Sequence, residues 1–234
     1  MQLDEVTHDP DGAAARGAAL MRRQLAGALE RRGTAFVAFS GGRTPWKMLR
    51  RLAQAPVDWT RVHVFQVDER WAPDGDDARN LTHLRKCLPE SALLHPVPVA
   101  EAGSPEEAAE LYAEVLAREI GRGGQLDAVH LGLGEDGHTA SLVPGDPVLE
   151  VTDRDVAATG EYRGHRRVTF TYPLINRART LVWLVCGGDK RHALRSLLVG
   201  DPAIPAGRVR GERQIVVADS AAAGPQRDER PLHK

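Results

Sequence analysis

Asp136 and His138 stand two residues apart within Leu131-Gly132-Leu133-Gly134-Glu135-Asp136-Gly137-His138-Thr139-Ala140-Ser141, where an apolar run (126–133) breaks at three glycines. Histidine is the side chain suited to taking a proton near neutral pH. A carboxylate beside it fixes the tautomer and stabilises the imidazolium as it forms. These residue types at this spacing predict a general base at His138, oriented by Asp136. An isolated Asp-x-His pair is more often a solvated or structural hydrogen-bonding pair, so the assignment depends on what lies beside it.

Three further segments offer complementary chemistry. Ser40-Gly41-Gly42-Arg43-Thr44 precedes a helix whose N-terminus carries partial positive charge, and its glycines let backbone N–H groups approach an anion. The segment lacks the Walker and dinucleotide patterns, so a phosphate monoester suits it better than a nucleotide. Lys190 opens a helix, where a cation is unfavourable unless it meets an anionic ligand. Arg167 presents a fork that matches phosphate, although Arg163 and Arg166 beside it also read as a solvated face. Asp68 and Arg70 follow an apolar run and suit sugar hydroxyls, with an ion pair between them as the plainer alternative.

Composition sets the outer limits. The chain has 234 residues, 42% hydrophobic and 27% charged, with a net charge of −1. It is long enough for a sizeable core and lacks the basic excess of a sequence-independent nucleic-acid binder. No apolar run reaches the length of a membrane span, so a cytoplasmic protein without membrane association is expected. Cys87 and Cys186 are far apart, and Cys186 lies in an apolar run. A buried thiol is expected there rather than a disulfide or metal ligand. No His-x-x-x-His or cysteine cluster argues for a metal, and no cofactor is expected.

The elements that must position these groups follow from periodicity and breakers. Helices are expected at 11–32, 46–53 with Pro45 as first residue, 81–87, 104–120 behind a Ser-Pro-Glu-Glu capping box, and from 190 to 199. Strands are expected at 35–39, 62–67, 127–133, 154–159, 166–172, 180–186 and 214–217, with the 68–71 segment as loop. Alternating strands and helices imply an α/β fold: a mostly parallel, Rossmann-like sheet with helices on both faces and a small elaboration in the C-terminal half. One domain over 1–223 is expected, with 224–234 a disordered tail. In such sheets ligands bind beyond the carboxyl ends of the strands. The segments 40–44, 68–70, 136–138 and 187–190 each follow an apolar strand, and their shared edge joins four weak signals into one site.

The ordered set Ser40-Gly41-Gly42-Arg43-Thr44-Pro45, Asp68-Glu69-Arg70-Trp71 with Asn80, Leu131 to Ser141 with Pro144-Gly145, Arg167-Val168-Thr169, Pro173-Leu174-Ile175-Asn176 and Gly187-Gly188-Asp189-Lys190 resembles the 6-phosphogluconolactonase family. That family shares its structural superfamily with glucosamine-6-phosphate deaminases. The resemblance spans Ser40 to about Ala223. It implies metal-free hydrolysis of 6-phosphoglucono-δ-lactone to 6-phosphogluconate in the oxidative pentose phosphate pathway. By that resemblance His138 would activate water with Asp136 as its partner; the Gly41-Gly42 loop, Arg167 and Lys190 would hold the phosphate; Asp68 and Arg70 would line the sugar side. The small-molecule sugar phosphate lactone would be the only partner, and the protein a monomer. Arg43 stands where the family commonly has a small residue, and Arg191 where it often has alanine; Arg43 and Thr44 are carried as further contacts of the phosphate turn.

Two alternatives are weighed. An amino-sugar-phosphate isomerase/deaminase would carry a Phe-Asn-Glu-Pro-like segment after the histidine, whereas here Ser141-Leu142-Val143-Pro144-Gly145 has no acid before Asp146. A non-catalytic sugar-phosphate-binding module would not need both Asp136 and His138.

Overall fold

The computed structural model describes residues 1–225; the expected tail, 224–234, lies almost wholly outside them. In chain order the elements are β1 (Glu5–Thr7), α1 (Pro10–Arg32), β2 (Ala35–Phe39), α2 (Arg43–Ala53), β3 (Val62–Gln66), β4 (Asp68–Arg70), α3 (Asn80–Cys87), β5 (Leu93–His95), α4 (Pro105–Ile120), β6 (Ala128–Gly132), β7 (Val156–Ala158), β8 (Arg167–Phe170), α5 (Tyr172–Arg177), β9 (Leu181–Val185), α6 (Arg191–Val199), β10 (Gln214–Asp219) and α7 (Ser220–Ala223).

Seven strands form an all-parallel sheet in the order β1-β10-β9-β6-β2-β3-β5. Period-2 alternation sends each strand's side chains to two different cores. From β9, Val182 and Leu184 pack with α1 and α2 residues such as Met21 and Met48, while Leu181, Trp183 and Val185 pack with α4 and α6 residues such as Leu116 and Leu194. Both faces are therefore covered by helices, as a parallel sheet requires. β6 lies between β9 and β2, so the loops after β2, β6 and β9 are neighbours at one sheet edge.

The helix ends follow local chemistry. The Asp9 side chain accepts from the Gly12 N–H at 2.8 Å at the start of α1, and Ser104 Oγ accepts from the Glu107 N–H at 3.2 Å at the start of α4. Glu107 closes the cap from outside, accepting from the Gly103 N–H at 2.7 Å.

Several expectations are corrected. Asp68–Arg70 is strand rather than loop: it pairs antiparallel with β8, which pairs antiparallel with β7, forming a second three-stranded sheet. The elaboration thus draws one strand from the first half of the chain. Its polar residues carry no apolar alternation, and pairing with β8 overrides their low strand preference. β1 and β5, three residues each at the sheet's two edges, are too short to register as periodicity. Helix α2 begins two residues earlier than expected, so Pro45 is its third residue. Lys190 closes a 3-10 turn (Gly188–Lys190) that runs into α6. Among the described residues both cysteines are free; Cys87 is buried, whereas Cys186 is only half-buried, and burial pushes its thiol up to about 11.

Candidate active site

The glycine-rich exit from β6 folds into a tight turn. The Gly134 N–H donates to the His138 carbonyl at 2.8 Å and the Gly137 N–H to the Gly134 carbonyl at 3.1 Å. A Cβ on Gly134 would lie 2.0 Å from His138 Nδ1 and 2.5 Å from Asp136 Oδ1. Only glycine lets the backbone pass this closely beneath the imidazole. Gly132, Gly134 and Gly137 also have the spacing of a dinucleotide fingerprint, but no α-helix follows. The chain turns back at Thr139–Leu142 instead, so the helix N-terminus that would meet a pyrophosphate is missing.

His138 Nδ1 is 2.6 Å from Asp136 Oδ1, and the His138 backbone N–H also donates to that oxygen at 3.1 Å. A carboxylate accepting at Nδ1 places the proton there and leaves the Nε2 lone pair for a substrate. Asp136 Oδ2 accepts from the Tyr162 hydroxyl at 2.9 Å, and the Tyr162 ring meets His138 edge-on at 5.6 Å. Partial burial raises the Asp136 carboxyl, but the donors from His138 and Tyr162 outweigh it and hold the group below its ordinary range. Tyr162 went unseen in the sequence because it lies 26 residues from Asp136 in an arginine- and glycine-rich loop.

His138 opens onto a two-lobed cleft. One lobe, about 140 Å³, is lined by Ser40, Gly41, Asp68, Arg70, Asn80 and His138 among others. The other, about 70 Å³, shares Asp68, Arg70, His138 and Ala140 and adds Tyr162, Arg163 and Arg167. A larger groove of about 550 Å³ along α4 and β7 has no comparable convergence of polar groups. Ala140, common to both lobes, holds φ at 53°, a left-handed conformation that costs a non-glycine residue about 1–3 kcal/mol.

The cleft walls are polar and mutually braced. Asp68 Oδ2 accepts from Ser141 Oγ at 2.7 Å, and the Asn80 side-chain amide donates to the Asp68 carbonyl at 2.9 Å. Asn80 Oδ1 accepts from Arg70 at 2.7 Å. Asp68 and Arg70 are thus bridged through Asn80. A Cβ on Gly41 would sit 2.0 Å from Asn80 Oδ1, so this glycine is needed for close approach. Arg167 is buried, stands over the Tyr162 ring at 5.0 Å, and leaves Nη1 without a hydrogen-bond partner among the described residues. Burial, and Arg70 nearby, push its guanidinium below the usual arginine range. The Ser40 hydroxyl, also buried and facing the cleft, likewise lacks a partner among the described residues.

The structure therefore brings His138, Asp136, Gly41, Asp68, Arg70 and Arg167 together. Gly42, Arg43, Thr44 and Lys190 lie at the same sheet edge but outside the two lobes. Gly42 precedes α2 with φ at 134°, Thr44 is the second residue of that helix, and Lys190 Nζ is 3.0 Å from Asp189. Asp189, held below the ordinary carboxylate range chiefly by Lys190, also feels Arg43.

Comparison with known proteins was made against this geometry. The family model described as glucosamine-6-phosphate isomerases/6-phosphogluconolactonase matches residues 8–217. A 6-phosphogluconolactonase of Synechocystis sp. is 43% identical over 176 residues, 71% of this chain and 72% of its own length. One from Nostoc sp. is 33% identical over 232 residues, covering 94% of this chain and 96% of that protein. The crystal structure of a 6-phosphogluconolactonase from Shewanella baltica superposes with a TM-score of 0.85 at 26% identity, over 94% of this chain and 98% of that one. That from Thermotoga maritima does so with a TM-score of 0.82 at 28% identity, over 93% and 98%.

Proposed function

The chain belongs to the glucosamine-6-phosphate isomerase/6-phosphogluconolactonase family, and from that premise we propose that it hydrolyses 6-phosphoglucono-δ-lactone to 6-phosphogluconate, the lactonase step of the oxidative pentose phosphate pathway. The observation that carries this reading is one cleft holding an imidazole tethered at Nδ1 and a buried guanidinium with a free donor. His138 Nε2 takes a proton from water as its oxygen attacks the lactone carbonyl. Asp136 holds the tautomer and stabilises the imidazolium, which returns the proton to the ring oxygen as the C–O bond breaks. A lactone is an activated ester, so base assistance and positioning are sufficient chemistry. Arg167 binds the phosphate, with the Gly41-Gly42 turn, Arg43, Thr44 and Lys190 as its further contacts, and Asp68 and Arg70 face the sugar hydroxyls. Residues 1–223 act as one folding unit, a reading supported by β1 pairing with β10 across the length of the chain.

The deaminase reading is weaker. Ser141 and Val143 line the cleft, and no carboxylate stands between His138 and Asp146. Turnover of the lactone, with no ammonia released from glucosamine 6-phosphate, is the expected result; the reverse pattern would reject the proposal.

Arg167→Ala should raise KM for the phosphorylated lactone by about 10- to 150-fold, the equivalent of a charge-assisted hydrogen bond of about 1.5–3 kcal/mol. Glucono-δ-lactone without phosphate should be turned over by the variant as by the parent. Equal losses on both substrates would assign Arg167 to the scaffold.

Tyr162 acts through Asp136 as a positioning residue. Tyr162→Phe removes a donor from the carboxylate, which should raise its pKa and move the acidic limb of the kcat/KM profile to higher pH. We expect kcat to fall about three- to tenfold, the range of an ordinary hydrogen bond, with KM unchanged. An unaltered pH profile would remove Tyr162 from the mechanism.

A further inference from the structure

On the α4 face of the sheet, His63 of β3, His95 of β5 and Glu119 of α4 converge, none of them lining the cleft. One ligand-type atom from each lies within 4.8 Å of the other two, the one such trio among the described residues. His63 Nδ1 is 3.0 Å from His95 Nε2 and 3.4 Å from Glu119 Oε2. We propose that these three side chains form a binding site for a divalent transition-metal ion of the zinc type, separate from the lactone cleft.

The spacing suits the ion. Tetrahedral zinc with ligands at about 2.0–2.1 Å holds neighbouring ligand atoms about 3.3 Å apart, and the contacts of His63 with His95 and with Glu119 lie within a few tenths of an ångström of that. His63 Nδ1 faces both His95 Nε2 and Glu119 Oε2, and the hydrogen at that meeting point sits on one ring or the other according to tautomer. A cation satisfies all three ligands at once, the shared hydrogen passing to a ring nitrogen that does not bind the metal.

The surroundings are those of a supported site. The two imidazoles lie nearly parallel, 8° apart with centroids at 5.1 Å, between the Phe36 and Phe65 rings. Arg118 donates to Glu119 Oε1 at 2.8 Å, which orients the carboxylate and leaves Oε2 for the metal. Burial holds both histidines below the ordinary imidazole range, in the neutral form that metals bind. The side chains of His63 and Glu119 remain about one-fifth exposed (19% and 20%), so an ion and a water ligand can enter. Imidazole and carboxylate together favour zinc, copper or nickel over calcium or magnesium. A bound ion would clamp the three-residue edge strand β5 to β3 and to the last turn of α4.

The test is titration of chelator-stripped protein with Zn²⁺, by calorimetry and by competition with a fluorescent chelator. One equivalent should bind with micromolar or tighter affinity. His63→Gln and His95→Gln should each weaken that binding at least 100-fold and Glu119→Gln at least tenfold. All three should keep lactone turnover and their far-ultraviolet circular dichroism in chelator, showing that they fold. Hydrogen exchange in β5 should slow on adding Zn²⁺ to the parent and not to the variants. Binding no tighter in the parent than in His63→Gln would overturn the proposal. So would an equivalent lost in His138→Ala, because the ion would then belong to the cleft.

Discussion

His138→Ala should lower kcat for 6-phosphoglucono-δ-lactone by about 10²–10⁴-fold, the usual contribution of a positioned general base, while the affinity for 6-phosphogluconate stays within about threefold of the parent. The separation follows from the geometry. The imidazole is held from the Asp136 side at 2.6 Å, whereas the free guanidinium donor belongs to Arg167. Removing the ring deletes the proton acceptor and leaves the phosphate contacts in place. Spontaneous hydrolysis of the lactone must be subtracted, because its floor can hide a large loss. A corrected rate near the parent's would end the assignment of His138 as base, and a parallel collapse of product affinity would make the histidine a binding residue.

The parts of this site that the sequence announced share one physical property. β2, β3, β6 and β9 are largely buried on both faces, so they read as mainly apolar runs, interrupted by His63 and Gln66 in β3 and His130 in β6, with glycine or a charge soon after their ends. Parallel topology then places the loops after these strands at one edge, and the sequence pattern alone sets Gly41, Asp68, Arg70 and His138 there. Arg167 was legible by its type alone; that it is buried and short of a partner is a tertiary fact. Lys190 was legible as a cation out of place on a helix start, but its first partner proves to be Asp189.

What stayed hidden depends on contacts between distant segments. Tyr162 reaches Asp136 only because the loop between β7 and β8 folds over the β6 turn. His63, His95 and Glu119 have no motif spacing, being set on two strands and a helix that meet through sheet pairing and packing. β4 was hidden by its polarity. Asp68-Glu69-Arg70 looks like a solvated loop, yet Glu69 is fully buried.

Glu69 is accordingly the position where substitution should cost the most stability. Its carboxylate accepts from Gln66 Nε2 at 2.8 Å and from the backbone N–H groups of Arg70, Asn80 and Leu81 at 2.8, 2.7 and 2.9 Å. Arg79 Nε, itself buried, is 3.0 Å away. The acid thus caps the N-terminus of α3, where the helix dipole favours it, and ties that helix to β4. Glu69→Ala leaves these donors without their acceptor and strands a guanidinium in the interior. Breaking a buried pair from one side costs about 3–5 kcal/mol, against about 5–15 kcal/mol for a whole domain. Urea unfolding should show the unfolding free energy lowered by that amount, with the midpoint falling by the loss divided by an unchanged m-value. Catalysis should suffer with it, because Arg70 and Asn80 flank the cleft from the two elements Glu69 joins. A loss below about 1 kcal/mol would mean that water or a neighbouring acceptor replaces the carboxylate, and that β4 and α3 are held in register by packing alone.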